Sequence, residues 1–328
     1  MQRLARCLAF CGATLLLFGC GGGGGGTAGV VPIRGTLRGG GSSVHYPLTH
    51  LAVTRDGSTL YAASGFLIRY DPKNLSPTTS VIATNAILDI DALTVDANGA
   101  VYVAEGGGPP SLLQKFGANF AQNAPALSTY SNSNFPALQV FDFSKTVALT
   151  TLSQASGTTL YALDQKPAGA YRITQLTSDL SPNIEPTPIT GVVFTHPTAI
   201  AMDAEGRIYV ADDNGSQSRV VRLIQSGGSW QPDSFHVSGV NLASATDLAL
   251  GSDGKIYVLD NAAHTLHVLD SNGQVEIIPI KLDPFAPPLA RSLLISVTVD
   301  AADNVYIGAN PGYLGTTISF LYTLSLTV

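Results

Sequence analysis

Beyond residue 20 this 328-residue chain has no cysteine; the three it contains are Cys7, Cys11 and Cys20. A chain cleaved before Cys20 can therefore form no internal disulfide, thiolate metal site or cysteine nucleophile. Charge is also scarce, at 12% Asp, Glu, Lys and Arg, and no segment after the N-terminus shows sustained helical periodicity. Removing Arg3 and Arg6 with the leader leaves 15 Lys and Arg against 23 Asp and Glu, a net of −8. That balance excludes the basic footprint a nucleic-acid-binding protein needs. No Gly-x-Ser-x-Gly elbow, paired-histidine metal motif or phosphate loop opening a helix is present. What the chain has in quantity is glycine (34) and proline (19), the composition of a turn-rich, many-stranded fold.

The N-terminus has its own pattern. Arg3 and Arg6 precede the twelve uncharged, mostly apolar residues Cys7 to Phe18, too short to span a bilayer and typical of a signal-peptide core. The stretch ends in Leu17-Phe18-Gly19-Cys20, which resembles the lipobox of bacterial lipoproteins. The alternative is an ordinary secretory signal with an incidental cysteine. The resemblance implies cleavage after residue 19, acylation of Cys20 and envelope residence; Gly21, where an inner-membrane retention signal would place Asp, implies the outer membrane. Gly21 to Gly26 has the composition of a flexible tether. The expected organisation is a signal peptide over 1–19, a lipidated tether over 20–29 and one domain over 30–328.

Within that domain one phrase occurs six times: an apolar triplet, a polar turn usually ending in glycine, then an aliphatic residue and tyrosine. The tyrosines stand at 61, 102, 161, 209, 257 and 306, the last four 48 or 49 residues apart. A 40–50-residue period with several strands per unit predicts a β-propeller, here all-β with six four-stranded antiparallel blades. In the fourth unit the expected strands are 200–203, 207–211, 219–223 and an edge strand near 234–238. Asp96 to Gly99 and Asp203 to Gly206 read as hairpin turns with a positive-φ glycine. After the last phrase only one more strand fits, Ile318 to Leu324, so residues 31–37 are expected to complete the sixth blade and close the ring as a monomer. Trp230 is expected in the outer hairpin of the fourth blade, as an exposed contact or a blade cap.

The phrase resembles NHL repeats, most fully over Pro197 to Leu223 with Tyr209-Val210-Ala211-Asp212, Asn214 and Arg219. The wider group includes SMP-30/gluconolactonase-like propellers and ranges from scaffolds to lactonases and lyases. Propeller topology places Thr49, His50, Asp91, Thr198, Asp247 and Ser296 at the mouth of a central channel. Glu105, Asp164, Asp212, Asp213, Asp260, Asn261 and Asn310 would line the second-strand loops, with Lys166 nearby. This acidic set favours cations, and Asp91 with Asp247 is the candidate pair for a Ca²⁺. For Asp212 and Asp260 the competing role is to brace a turn. His264 and His267, three residues apart, are not expected to share a metal. Blade two is longer than the rest, with Gly106 to Pro110 and Gln122 to Asn134 inside a 104–146 insertion. The Glu-Gly-Pro opening of SMP-30-like lactonases is absent before the first inner strand, where His45-Tyr46-Pro47-Leu48 stands. The sequence therefore favours an envelope-anchored module binding a protein or small ligand at the channel face. The alternative is a Ca²⁺-dependent lactonase, hydrolase or lyase.

Overall fold

The computed structural model describes residues 34–40, 48–63, 67–82, 90–105, 112–118, 120, 125–131, 146–165, 170–181, 187–214, 217–281, 292–311 and 320–327. These are all strand, turn or irregular structure, arranged in six four-stranded antiparallel sheets. Blade one is β2 (His50–Val53), β3 (Leu60–Ala63), β4 (Leu67–Asp71) and β5 (Ser76–Ile82). Blade two is β6 (Ile90–Val95), β7 (Val101–Glu105), β8 (Leu112–Phe116) and β9 (Ser128–Ser131). Blade three is β10 (Thr146–Gln154), β11 (Gly157–Gln165), β12 (Tyr171–Thr177) and β13 (Thr187–Pro188). Blade four is β14 (Pro197–Met202), β15 (Ile208–Asp213), β16 (Ser218–Ser226) and β17 (Ser229–Pro232). Blade five is β18 (Ala245–Leu250), β19 (Ile256–Asp260), β20 (Thr265–Leu269) and β21 (Val275–Lys281). Blade six is β22 (Ser292–Val299), β23 (Asn304–Pro311) and β24 (Phe320–Thr327), completed by β1 (Arg34–Gly40).

The ring thus closes with both ends of the chain in one blade, as the single strand left after the sixth phrase required. β1 pairs antiparallel with β24 from Arg34↔Thr327 to Gly40↔Leu321, which covers an edge that would otherwise pair with another chain. The strand lies three residues later than expected, and residues 31–33 fall outside the described set. All inner strands run from a mouth face to a turn face, and the second strands return. The first-to-second and third-to-fourth connections therefore share the turn face.

In three of the units the repeated tyrosine braces its own turn. Tyr102, Tyr209 and Tyr306 donate their phenol protons to Asp96, Asp203 and Asp300 at 3.1, 3.2 and 3.0 Å. Each of these aspartates also accepts amides of its own turn, as Asp96 does from Asn98 and Ala100 at 2.9 Å. Gly99 and Gly206 take φ of +80°, which closes the turn. Tyrosine, turn aspartate and glycine together fix the hairpin and explain their joint recurrence. Between blades, alternate faces of neighbouring sheets pack into apolar clusters such as that of Tyr257, Leu266, Leu294, Val305 and Leu324 between blades five and six.

The outer strand of blade four departs from the expectation. It is β17 (Ser229–Pro232), not a strand near 234–238, because Gly227 and Gly228 adopt φ of +58° and +78° and reverse the chain within two residues. Trp230 is consequently neither exposed nor a cap. It is 2% exposed, packs edge-on to Tyr161 at 6.2 Å, and fills the space between blades three and four. In blade two the Gly106 to Pro110 run lies outside the described residues, as do 122–124 and 132–134, while Ser128–Ser131 within the Gln122 to Asn134 stretch forms β9.

Candidate functional site

Five of the six inner strands carry an irregularity at the equivalent place, after the first residue of β6, β10, β14 and β18 and after the third of β22. The unpaired positions are Asp91, Val147, Thr198, Thr246 and Ile295. Such a bulge re-aims the strand entering the channel. It also corrects the register of the candidate site. His50, Asp247 and Ser296 occupy the position after the bulge, where the other blades have Ala92, Ala148 and Ala199. Asp91 and Thr198 belong to the bulge itself, one residue earlier, with Thr49. The sequence aligned two tiers as one, because a bulge adds a residue without altering the phrase around it.

The bulge tier is largely a clamp. Thr198 Oγ1 donates to the Ala245 carbonyl of the next blade at 2.7 Å, and Thr246 Oγ1 to that of Leu294 at 3.2 Å. The ends of the second strands serve the same purpose. Asn261 Oδ1 accepts the Leu294 amide at 2.8 Å, and Asn310 both accepts from and donates to the Leu48 backbone at 2.8 Å. Asp213 accepts from Ser218 at 3.2 Å within its blade and from Ser244 at 2.9 Å. Glu105 ends β7 in the equivalent region and is half-buried.

One residue earlier, Asp164, Asp212 and Asp260 are fully buried and brace loops at the mouth. Asp212 accepts the amides of Thr195 and His196 at 3.0 and 2.9 Å and faces Arg219 at 2.8 Å. Asp260 accepts the amides of Ala243, Ser244 and Ala263, with His267 Nε2 at 3.7 Å. Burial would raise its pKa, but His267 and those three amides more than offset this and hold the carboxyl at about 2. Asp164 is held by both Nε and Nη2 of Arg172, at 2.7–3.0 Å. The sequence passed over Arg172; the signal available was a basic residue eight positions after the buried aspartate, against seven for Arg219. His264 lies in a turn at φ +47° and His267 is buried, so the two do not converge. Lys166 and Cys20 lie outside the described residues.

This leaves His50, Ser296 and Asp247, on blades one, six and five, along one side of a channel of about 660 Å³. Ser296 Oγ accepts the Leu51 amide at 3.0 Å and donates to Asp247 Oδ2 at 2.6 Å. Asp247 also accepts the Val297 and Leu248 amides at 2.8 Å. The serine proton is thus directed at the aspartate and not at the histidine, which excludes a Ser-His-Asp nucleophile triad in this arrangement. Burial lowers the pKa of His50 to about 4, partly opposed by its hydrogen bond with the Ile90 backbone; its Nδ1 is buried without a hydrogen-bond partner. Burial raises Asp247 to about 6, despite the Ser296, Val297 and Leu248 donors that favour its anion. Deeper in, the channel is lined by the half-buried Val95, Met202, Leu250 and Val299, which also pack against the inter-blade core, and it reaches the turn face at Asp203 and Arg207.

The residues do not suit the Ca²⁺ that the SMP-30-like resemblance implies. Asp91 and Asp247 are on blades two and five and in different tiers. Among the described residues no three His, Cys, Asp or Glu side chains gather where they could hold a metal ion. Asp247 already receives three protein donors.

No protein-family model matches the chain, and no curated protein matches it by sequence. Solved structures do match over nearly its whole length. A gluconolactonase from Xanthomonas campestris aligns with TM-score 0.56 and 14% identity, over 89% of this chain and 90% of its own. A PQQ-bound aldose sugar dehydrogenase from Streptomyces coelicolor gives TM-score 0.59 and 12% identity over 90% and 99%. Virginiamycin B lyase from Staphylococcus aureus, solved with quinupristin, gives TM-score 0.54 and 12% identity over 89% and 100%. At such identities the likeness is one of fold. The chain is a six-bladed β-propeller with the overall architecture of these enzymes.

Proposed function

We propose that the protein converts a small molecule at the mouth of its channel, as a lactonase-type hydrolase or a lyase, and that it does so at the bacterial envelope, held by lipid on Cys20. The observation that carries the first part is the placing of His50 and Asp247 on one channel wall with their pKa values pushed past each other, to about 4 and about 6. Between those values the imidazole is neutral and the carboxyl protonated, so the wall offers a proton acceptor and a proton donor together. Their roles follow: the neutral His50 imidazole takes a proton from water or substrate, Asp247 returns one to the leaving oxygen, and Ser296 fixes the Asp247 carboxyl. Full-length likeness to a gluconolactonase and a lyase supports this chemistry over a purely structural role. No step is assigned to a metal, because the donor set does not fit one.

Lactone hydrolysis followed by acid release, with glucono-δ-lactone as the first substrate, tests the reading. Activity should be bell-shaped in pH with limbs near 4 and 6, and His50→Phe and Asp247→Ala should each lower kcat/KM by roughly 100-fold or more. Unchanged rates in both variants would reject these roles. A binding module without turnover is the second reading, favoured by the full hydrogen-bond complement of Asp247. Ligand-induced thermal stabilisation without product would select it. The lipid anchor has a separate check: Cys20→Ser should abolish incorporation of labelled fatty acid, and retained label would refute it.

A further inference from the structure

We propose that the propeller hangs from the membrane by its turn face, near the rim of blade six, so that the channel mouth opens away from the lipid. This rests on the lipid anchor at Cys20 and on the direction of β1. In blade six, β22 runs from the mouth to the turn at Asp300, β23 returns and β24 descends again. β1 is antiparallel to β24 and therefore ascends: Arg34 lies opposite Thr327 at the turn face, and Gly40 opposite Leu321 towards the mouth. The chain before Arg34 consequently leaves from the face opposite the candidate site, on the outermost strand of its blade.

The tether sets how far this direction constrains the domain. Arg34 is 14 residues after Cys20, and a chain of that length and glycine-rich composition would have a mean reach of about 20 Å if unstructured. The seven residues of β1 span roughly 23 Å from turn face to mouth. Presenting the mouth to the bilayer would require the 14 tether residues to run back past that whole thickness, using about half of the ~46–50 Å they span when fully extended, which biases the domain against that orientation. Presenting the turn face requires no stretch. Nor is that face strongly basic: beside the exposed Arg55 and Lys73 it carries Asp56, Asp179, Glu205, Asp253 and Asp303, and Arg207 and Lys255 are held in ion pairs by acids of their own turns. The lipid chain alone makes the contact, and the mouth stays open to ligands from the aqueous side.

The mature chain has no thiol besides Cys20, which lipidation consumes, so single cysteines can be introduced for labelling. Asn272→Cys is exposed on the turn face, and Val193→Cys replaces an 83%-exposed side chain on the mouth-face loop before β14. Each is made in the full, lipidated protein, labelled with a donor dye and reconstituted on phosphatidylcholine vesicles carrying a headgroup acceptor. Energy transfer should be about twofold or more stronger from position 272 than from 193, given the separation of the faces. Equal or reversed transfer from protein that floats with the vesicles would overturn the orientation and leave the anchor standing. Protein that fails to float would remove the anchor and the orientation with it.

Discussion

Replacing Arg172 by alanine is expected to cost about 3–5 kcal/mol of stability, because it strips the guanidinium from a fully buried carboxylate. Asp164 is 0% exposed and the Arg172 side chain 7%, so bulk water does not screen the pair, and the neutral Thr174 hydroxyl that donates to Asp164 at 3.4 Å supplies no counter-charge. The same position in blade four behaves differently. Arg219 is 43% exposed, and Asp212 keeps the Thr195 and His196 amides when the arginine is gone. Arg219→Ala should therefore cost only about 1 kcal/mol after allowance for solvent screening. Urea unfolding of the two variants compares them directly. Adding Asp164→Asn to Arg172→Ala should recover part of the loss, since an amide needs no counter-charge. Equal losses at the two positions would show that burial does not set the difference.

The second large effect is one of pH, and wild-type protein conceals it. Asp247 has its folded pKa raised from 3.8 to about 6 by burial. Its contribution is fully present below the ordinary carboxylate value and is lost as pH rises through 6. His50 is lowered from 6.5 to about 4, again by burial. Its contribution is present above 6.5 and is lost as pH falls through 4. Each amounts to about 3 kcal/mol on conversion of the shift, and the two slopes oppose each other. His50→Gln should unmask the Asp247 slope, so that relative to wild type its stability falls by about 3 kcal/mol between pH 4 and 7. Asp247→Asn should do the reverse, gaining on wild type as pH rises. Denaturation midpoints at pH 4, 5, 6 and 7 suffice, and curves parallel to wild type would rule the coupling out.

Much of the scaffold was legible because its causes are local. The turn residues and the tyrosine of a phrase lie within one hairpin, and in the second, fourth and sixth phrases the tyrosine bonds the turn aspartate directly, so their spacing survives in the sequence wherever the hairpin does. Closure of the ring by β1 followed from a count of strands. The outer strand of blade four was less legible, since Trp230 looks like a surface residue until the facing blade with Tyr161 is in place.

The candidate site was legible in composition and not in register. His50, Asp91, Asp247 and Ser296 all read as inner-strand entrants in the sequence, and only the bulges reveal that Asp91 stands one tier away from the other three. Asp213, Asn261 and Asn310 looked like channel ligands, yet they bind across blade boundaries, to partners as far as 262 residues away in sequence. Contacts of that kind leave no periodic trace.

The sequence by itself determined the number of blades and the chemistry of their turns, because each depends on neighbours within about one repeat. The joining of the two ends followed from the strand count, although its partners lie at opposite ends of the chain. Only the tertiary structure decided which polar side chains clamp one blade to the next and which remain on the channel wall. That division depends on a one-residue bulge and on the face of an adjacent blade, and burial between blades then gives His50 and Asp247 their altered proton affinities.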